Sequence, residues 1–286
     1  MGESGEQDVY SAVGANEFKF RGGSIELGGW PIVMGVLNVT PDSFSDGGAF
    51  VEVDSALAQV ERMLEEGARI IDVGGESTRP DAVKVGADEE GRRVAPIVRA
   101  IVERFPDAII SVDTVKTAVA QMALDEGAHL VNDVSGLGDV GMADLIAQFE
   151  AGCVLMFNAR SMGIGESIVD SIRSGWRKSL ELAAAAGIDR QRIVLDPGIG
   201  FGTSREQDLD ILRGLRDLKS EGYPLLLGTS RKRITGDLLG LDVGDRYETT
   251  LATTVVGVEQ GVEFFRVHDV AGNVKASRMA QLIYAK

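Results

Sequence analysis

Polar residues recur in this chain where short apolar runs stop: Asn38, Asp72, Asp113, Asn132 with Asp133, Asn158, Asp196, Ser230 with Lys232, and Arg266 with His268. Their types suit a common task. Asp113, Asn132 and Asp196 can offer paired acceptors and donors to the edge of a flat, amide-rich heterocycle, and Lys232 can meet its carbonyl. Arg266 and His268 stand two residues apart, so on a strand they share a face and could hold an anion. Gly198-Ile-Gly-Phe-Gly202 lets backbone approach a ligand closely and presents Phe201 as a stacking wall. As a dinucleotide fingerprint it fails, because it lacks the required third-glycine spacing and an acidic ribose partner. Taken singly, several of these residues have plainer roles. Asp72 and Asp133 can cap turns, Asp133 more readily, and at least one of Arg231 and Arg233 belongs on the surface. His129 falls at the amino end of its strand, away from the other polar ends, and reads as structural.

These positions converge only if the apolar runs are parallel strands of one sheet. Pro31 to Val39 has no polar alternation, the pattern of a strand covered on both faces. Further strands are expected at Ala68–Val73, Ala108–Val112, Leu130–Asp133, Cys153–Phe157, Ile193–Leu195, Pro224–Leu227 and Glu263–Val267. Helical patterns separate them at 53–64, 89–105, 115–127, 142–149, 167–187, 249–261 and 273–284. One more helix opens at a Ser204/Gln207 capping box and buries Ile211, Leu212, Leu215 and Leu218. Eight strands alternating with eight helices over about 255 residues match an α/β fold of the (β/α)8 TIM barrel type. A doubly wound open sheet is the alternative, and even spacing favours closure. Phe18–Phe20 and Ser24–Leu27, joined by Arg21-Gly22-Gly23, read as a short N-terminal β-hairpin plugging one end.

Domain organisation follows: residues 1–17 as a disordered, Gly-, Ser- and Glu-rich tail without signal-peptide character, then one barrel domain over 18–286. The net charge of −15 repels polyanions, which argues against non-specific binding to nucleic acid or anionic membrane, while local Arg and Lys can still hold a small anion. No apolar run is long enough to span a bilayer. The single cysteine, Cys153, lies in an apolar run and reads as a buried hydrophobe, which fits a reducing, cytoplasmic location. Two long polar loops, Thr40–Gly48 and Gly74–Gly86, stand where loops commonly close over reactants.

Seven segments, in order, resemble the dihydropteroate synthase family. They are the stretch 34–48 (MGVLNVTPDSFSDGG), Asp72-Val-Gly-Gly-Glu-Ser-Thr-Arg-Pro80, Ser111-Val-Asp-Thr114, Asn132-Asp-Val-Ser-Gly136, the stretch 195–202 (LDPGIGFG), Gly228-Thr-Ser-Arg-Lys232 and Arg266-Val-His-Asp269. The resemblance runs from about residue 18 to the end, on successive strand ends of the barrel. It implies an enzyme that joins hydroxymethyl-dihydropterin pyrophosphate to para-aminobenzoate, releasing pyrophosphate and giving dihydropteroate for folate synthesis.

By matched position, the resemblance implies that Asp113, Asn132, Asp196 and Lys232 bind the pterin, with Met156 lining its pocket. Asn38 would hold magnesium or the pyrophosphate, and Arg266 with His268 would hold that pyrophosphate. Phe44, Thr78, Pro80, Phe201 and Ser230 would frame the aminobenzoate site, with Arg79 engaging the reactants. The catalytic set is then Asn38, Arg79, Asp113, Lys232, Arg266 and His268, the cofactor Mg2+, and the assembly a homodimer built through barrel helices. Three departures from the family pattern stand out: Phe157 where a His is usual, Arg233-Ile234 for a commoner Ser-Phe, and Gly91 inside a helix. Two other readings are a pterin-binding paralogue without catalysis and a pterin-dependent methyltransferase. Asn38, Arg79, Arg266 and His268, which suit pyrophosphate chemistry, weigh against both.

Overall fold

Strands that must be covered on both faces carry two interleaved apolar sets, and the computed structural model sends those sets to two different cores. It describes residues 17–39, 48–77 and 84–284. Strands β3 (Ile32–Asn38), β4 (Ile70–Gly74), β5 (Ile109–Asp113), β6 (Leu130–Asp133), β7 (Gly152–Met156), β8 (Ile193–Asp196), β9 (Leu226–Leu227) and β10 (Phe264–Val267) form one parallel sheet. Each strand pairs with its neighbour in sequence, and β10 pairs with β3. A single bridge, Leu195 to Leu225, joins β8 to the start of β9 and closes the ring. This ordering is a (β/α)8 barrel and not the doubly wound alternative, whose strand order would reverse part-way.

One apolar set points inward. Ile32, Met34, Ile70, Ile109, Val194 and Phe264 share a cluster with Phe18, Phe20 and Ile25 of the antiparallel hairpin β1 (Glu17–Phe20) and β2 (Gly23–Glu26). Phe18 meets Phe264 edge to face at 5.4 Å, so the hairpin stoppers the amino end of the barrel as expected, beginning one residue earlier, at Glu17. The other set, including Ile71, Val112, Leu155 and Phe265, packs outward against the helices. With the amino end sealed by hydrocarbon, polar chemistry is left to the carboxyl rim.

The helices are α1 (Gly48–Glu65), α2 (Ala87–Arg104), α3 (Thr117–Asp125), α4 (Met142–Gln148), α5 (Ala159–Met162), α6 (Ile168–Ala185), α7 (Arg205–Arg213), α8 (Leu215–Lys219), α9 (Tyr247–Glu259) and α10 (Val270–Tyr284). The capping box at α7 is present in full: Gln207 N donates to Ser204 Oγ, and Ser204 N to the Gln207 amide oxygen. The helix expected beyond it is interrupted at Gly214, where α7 gives way to α8, though Ile211, Leu212, Leu215 and Leu218 are all buried as expected. The short helix α5 has no counterpart in the sequence reading. Gly91 in α2 has a packing reason. A Cβ there would stand 2.2 Å from Met122 Sδ, so glycine lets α3 approach, at a cost of roughly 1 kcal/mol in helix preference. No helix among the described residues is long and apolar enough to cross a membrane. Residues 1–16 of the expected tail, and residues 40–47 and 78–83 of the two expected loops, lie outside the described residues.

Candidate active site

Period-two alternation decides which strand residues face the barrel axis above the apolar plug. On β4, Asp72 and Gly74 follow the inward Ile70; on β5, Ser111 and Asp113 follow Ile109. Asp113 in turn lies in register with Asn132, and Asp196 with Met156. Arg266 on β10 crosses the axis to reach two of these carboxylates. Its Nε donates to Asp72 Oδ2 at 2.6 Å, and its Nη2 to Asp113 Oδ2 at 2.6 Å. Asn132 Nδ2 donates to the same Asp72 oxygen at 3.0 Å. Asp72 Oδ1, Asp113 Oδ1 and Ser111 Oγ are buried without a hydrogen-bond partner in the protein. Buried acceptors of this kind are costly unless a ligand supplies donors. A ring edge bearing N–H groups is such a ligand.

The opposite side of the rim carries Asp196, Lys232 and Phe201. Asp196 Oδ1 accepts from Gly198 N at 2.7 Å, and the Asp196 carbonyl accepts from the Trp176 indole at 3.0 Å. Gly198 has φ +75°, and a Cβ there would sit 1.8 Å from the Phe157 carbonyl oxygen, so only glycine permits this turn. Lys232 Nζ donates to the Ile199 carbonyl at 2.8 Å and lies 4.7 Å from the Phe201 ring centre. Ser230 Oγ and His268 Nδ1 are 3.0 Å apart, which ties the ends of two adjacent barrel segments together. Met156 is buried beside Asp196, and Asn38 is exposed at the end of β3, opposite Gly74.

Burial raises Asp113 from its ordinary 3.8 to about 7; the charges of Asp72 and Glu90 add to the rise, and Arg266 and Lys232 oppose it. Burial likewise lowers Lys232 to about 8, with Arg266 adding and Asp196, Asp208 and Asp113 opposing. Asp196 is raised by burial, against the pull of Lys232, the Gly198 N–H and Arg266. Arg266 is held the more firmly protonated, since Asp72 and Asp113 outweigh the effect of its burial. The rim therefore keeps one fixed cation among groups poised near neutrality, an arrangement typical of sites that bind and react.

Asn38, Asp113, Asn132, Met156, Asp196, Phe201, Ser230, Lys232, Arg266 and His268 all stand at this carboxyl rim. Phe44, Thr78, Arg79 and Pro80 lie outside the described residues. Asp72 is the addition. A turn-capping role is open to it in the sequence, yet it is the hub of the Arg266 and Asn132 bonds. Its position two residues after the plug-forming Ile70 carries the signal. Asp133 does cap a turn, accepting from Ser135 N, Ser135 Oγ and Leu137 N. His129 Nδ1 accepts from Ile110 N at 3.0 Å beneath the barrel and is structural. Asn158 caps α5. Arg231 and Arg233 are both exposed, paired with Asp269 and Asp237. Phe157 turns outward into the helix layer, where a Cβ on Gly175 would meet its ring at 2.5 Å, so replacing the usual His leaves the rim untouched.

The model of a family described as pterin binding enzymes matches residues 34–268. The dihydropteroate synthase of Clostridium beijerinckii is 44% identical over 273 residues, covering 95% of this chain and 98% of that protein. The chain belongs to the dihydropteroate synthase family. A solved dihydropteroate synthase from Clostridium difficile, obtained in the presence of pteroic acid, superposes with a TM-score of 0.87 at 46% identity, covering 91% of this chain and 98% of that one. The Xanthomonas albilineans dihydropteroate synthase with 4-aminobenzoic acid gives a TM-score of 0.89 at 38% identity, covering 95% and 99%. For a dihydropteroate synthase, then, the Asp72–Arg266–Asp113 cluster forms the floor of the rim that carries the family's strand-end motifs.

The raised Asp113 pKa has a measurable sign. The folded protein keeps a proton that the unfolded chain releases between pH 3.8 and about 7, so this group's contribution to stability falls as pH rises through that window. In Asp113→Asn the contribution is absent. Urea unfolding at a series of pH values should show the stability of the variant relative to wild type climbing from about pH 4 to about pH 7. A difference that stays flat over that range contradicts the assignment.

Proposed function

We infer that this rim condenses hydroxymethyl-dihydropterin pyrophosphate with para-aminobenzoate to give 7,8-dihydropteroate and pyrophosphate, a step of folate biosynthesis. The observation that carries the reading is the convergence of Asp113, Asn132, Asp196 and Lys232 around the Arg266 guanidinium, in a chain of the dihydropteroate synthase family. Asp113 Oδ1 accepts from the ring's N–H edge, Asn132 and Asp196 complete the in-plane pairing, and Lys232 meets the ring carbonyl. Phe201 and Ser230 border the place of the second substrate.

The reaction breaks the carbon–oxygen bond to pyrophosphate, which leaves with the electron pair, and forms a bond from the aminobenzoate nitrogen to the exocyclic methylene. The nitrogen then loses a proton. The electron-rich ring spreads the developing positive charge, and the neighbouring carboxylates favour it electrostatically. No nucleophile from the protein is needed, and Cys153, buried with its thiol pKa pushed well up, stays outside the chemistry. A guanidinium has five N–H donors, so Arg266 can keep both carboxylates and still donate to a departing phosphate oxygen, with His268 beside it.

Magnesium belongs to the same proposal. Asn38 offers one hard oxygen ligand at the rim, and this ion commonly takes its other ligands from substrate phosphates and water. Among the described residues, no group of three or more His, Cys, Asp or Glu could cage a metal by itself. When bound, the ion neutralises charge gathering on the leaving pyrophosphate.

A homodimer is also part of the reading. Tyr247 and Val256 on α9 and Met279, Leu282, Ile283 and Tyr284 on α10 are exposed apolar side chains on two helices packed against each other, with Leu282 65% exposed. Met279, Leu282 and Ile283, at i, i+3 and i+4, share one face of α10, and an exposed apolar helix face suits an interface between copies of the chain. A cytoplasmic location completes the proposal, in keeping with a lone thiol and no disulfide.

Purified protein given both substrates and magnesium should release pyrophosphate in step with dihydropteroate. Pterin binding without product would transfer the reading to a non-catalytic paralogue. Sedimentation equilibrium should give twice the chain mass for wild type and the single-chain mass for a Leu282→Glu/Ile283→Glu variant; a monomeric wild type rejects the dimer.

A further inference from the structure

Behind the glycine loop that follows Asp196 stands a buried acid that the reaction does not use. Asp208 lies in the first turn of α7, where the helix dipole favours negative charge. A carboxylate in such a place is normally solvated, yet Asp208 is only 4% exposed, and an Asp is rarely so buried without partners. Its Oδ1 accepts from Gly200 N at 3.0 Å and from the Thr203 hydroxyl, and Thr203 Oγ1 shares the same Gly200 N–H at 3.0 Å.

The same peptide unit is held at its other end. The Ile199 carbonyl, bonded to Gly200 N, is the acceptor for Lys232 Nζ at 2.8 Å. A carboxylate on the N–H and an ammonium on the C=O polarise one amide in the same sense, so each bond strengthens the other. The lysine stem runs alongside, since a Cβ on Gly200 would stand 3.4 Å from Lys232 Cδ. Phe201, next in the loop, has its ring centre 4.7 Å from that ammonium.

Charges face Lys232 from four elements. Burial lowers its pKa; Asp196 on β8, Asp208 on α7 and Asp113 on β5 oppose that, and Arg266 on β10 adds to it. Burial raises the Asp208 pKa, and its bonds from Thr203 and Gly200 and the charges of Lys232 and Arg233 oppose the rise. Two donors on one oxygen and two cations facing it suit the ionised form of Asp208.

We propose that Asp208 is a positioning residue for pterin binding, which sets the Lys232 ammonium and the Phe201 wall through the Ile199–Gly200 peptide and whose negative charge supports the lysine's positive one. The inference rests on the reading in which Lys232 meets the ring carbonyl. Asp208 itself touches no substrate.

The test compares wild type with Asp208→Asn, which keeps an acceptor for Gly200 and Thr203 but drops the charge, and with Asp208→Ala, which removes both. Calorimetry with a pterin lacking pyrophosphate over a series of pH values reads binding. Competitive acetylation, followed at the Lys232 peptide by mass spectrometry, reads the ammonium with no ligand present. At pH 7 the alanine variant should bind pterin about tenfold or more weakly, with the asparagine variant within about threefold of wild type. Wild-type affinity should fall as pH rises through about 8, where Lys232 loses its proton. In Asp208→Asn that fall, and the Lys232 acetylation midpoint with it, should move down by about half a pH unit or more. An unchanged pterin Kd in folded Asp208→Ala overturns the inference, and so does a Lys232 midpoint that stays in place in Asp208→Asn. A wild type that binds no pterin at any pH overturns the reading of the rim, and this inference with it.

Discussion

The Arg266 guanidinium, set between Asp72 and Asp113, is the interaction on which the rest of this molecule depends. Three charges taken out of water so close together persist only when each has good partners. The barrel supplies them by register. Asp72 and Asp113 come from adjacent strands, Asn132 from the next, and Arg266 reaches them from the far end of the chain. Two carboxylates share one guanidinium, and three oxygens, on Asp72, Asp113 and Ser111, have no hydrogen-bond partner in the protein. The floor is thus complete for a donor-rich ring and incomplete without one.

The surroundings serve that floor. The hairpin fills the amino end with Phe18 and Phe20, closing the barrel to water from below. Trp176 and Gly198 hold the Asp196 turn, and the capping box at Ser204 starts α7 directly after the glycine loop that bears Phe201. Burial then does electrical work. It brings Asp113 to about 7 and Lys232 to about 8, so both groups respond to a bound ring instead of remaining fixed ions.

Most of this was legible in the sequence because the barrel's rule is local. Apolar runs such as Ile32–Leu37 and Phe264–Phe265 end in polar residues, and any parallel barrel collects such ends on one rim. The capping box at Ser204 and the turn-capping Asp133 were likewise readable, since their partners lie within four residues. What sequence hid was long-range. β9 is only two residues long, and the ring is closed beside it by the one bridge from Leu195 to Leu225. The break at Gly214 yields to a close approach by Val169. Asp72 could not be told from a turn cap until Arg266, 194 positions away, was seen on it. Asp208 gave no more signal than any first-turn acid, the lysine that meets the same peptide standing 33 residues from Ile199.

The central claim is that the ion cluster, and not only the groups assigned to the ring, makes the binding site. Calorimetry of an Asp72→Asn variant with a pterin lacking pyrophosphate tests it most directly. Asp72 is outside the set of residues assigned to the pterin by motif, yet its charge anchors Arg266 and its carboxylate accepts from Asn132. The account predicts a loss of pterin affinity of about tenfold or more in a protein that still folds. An unchanged Kd in the folded variant would contradict it.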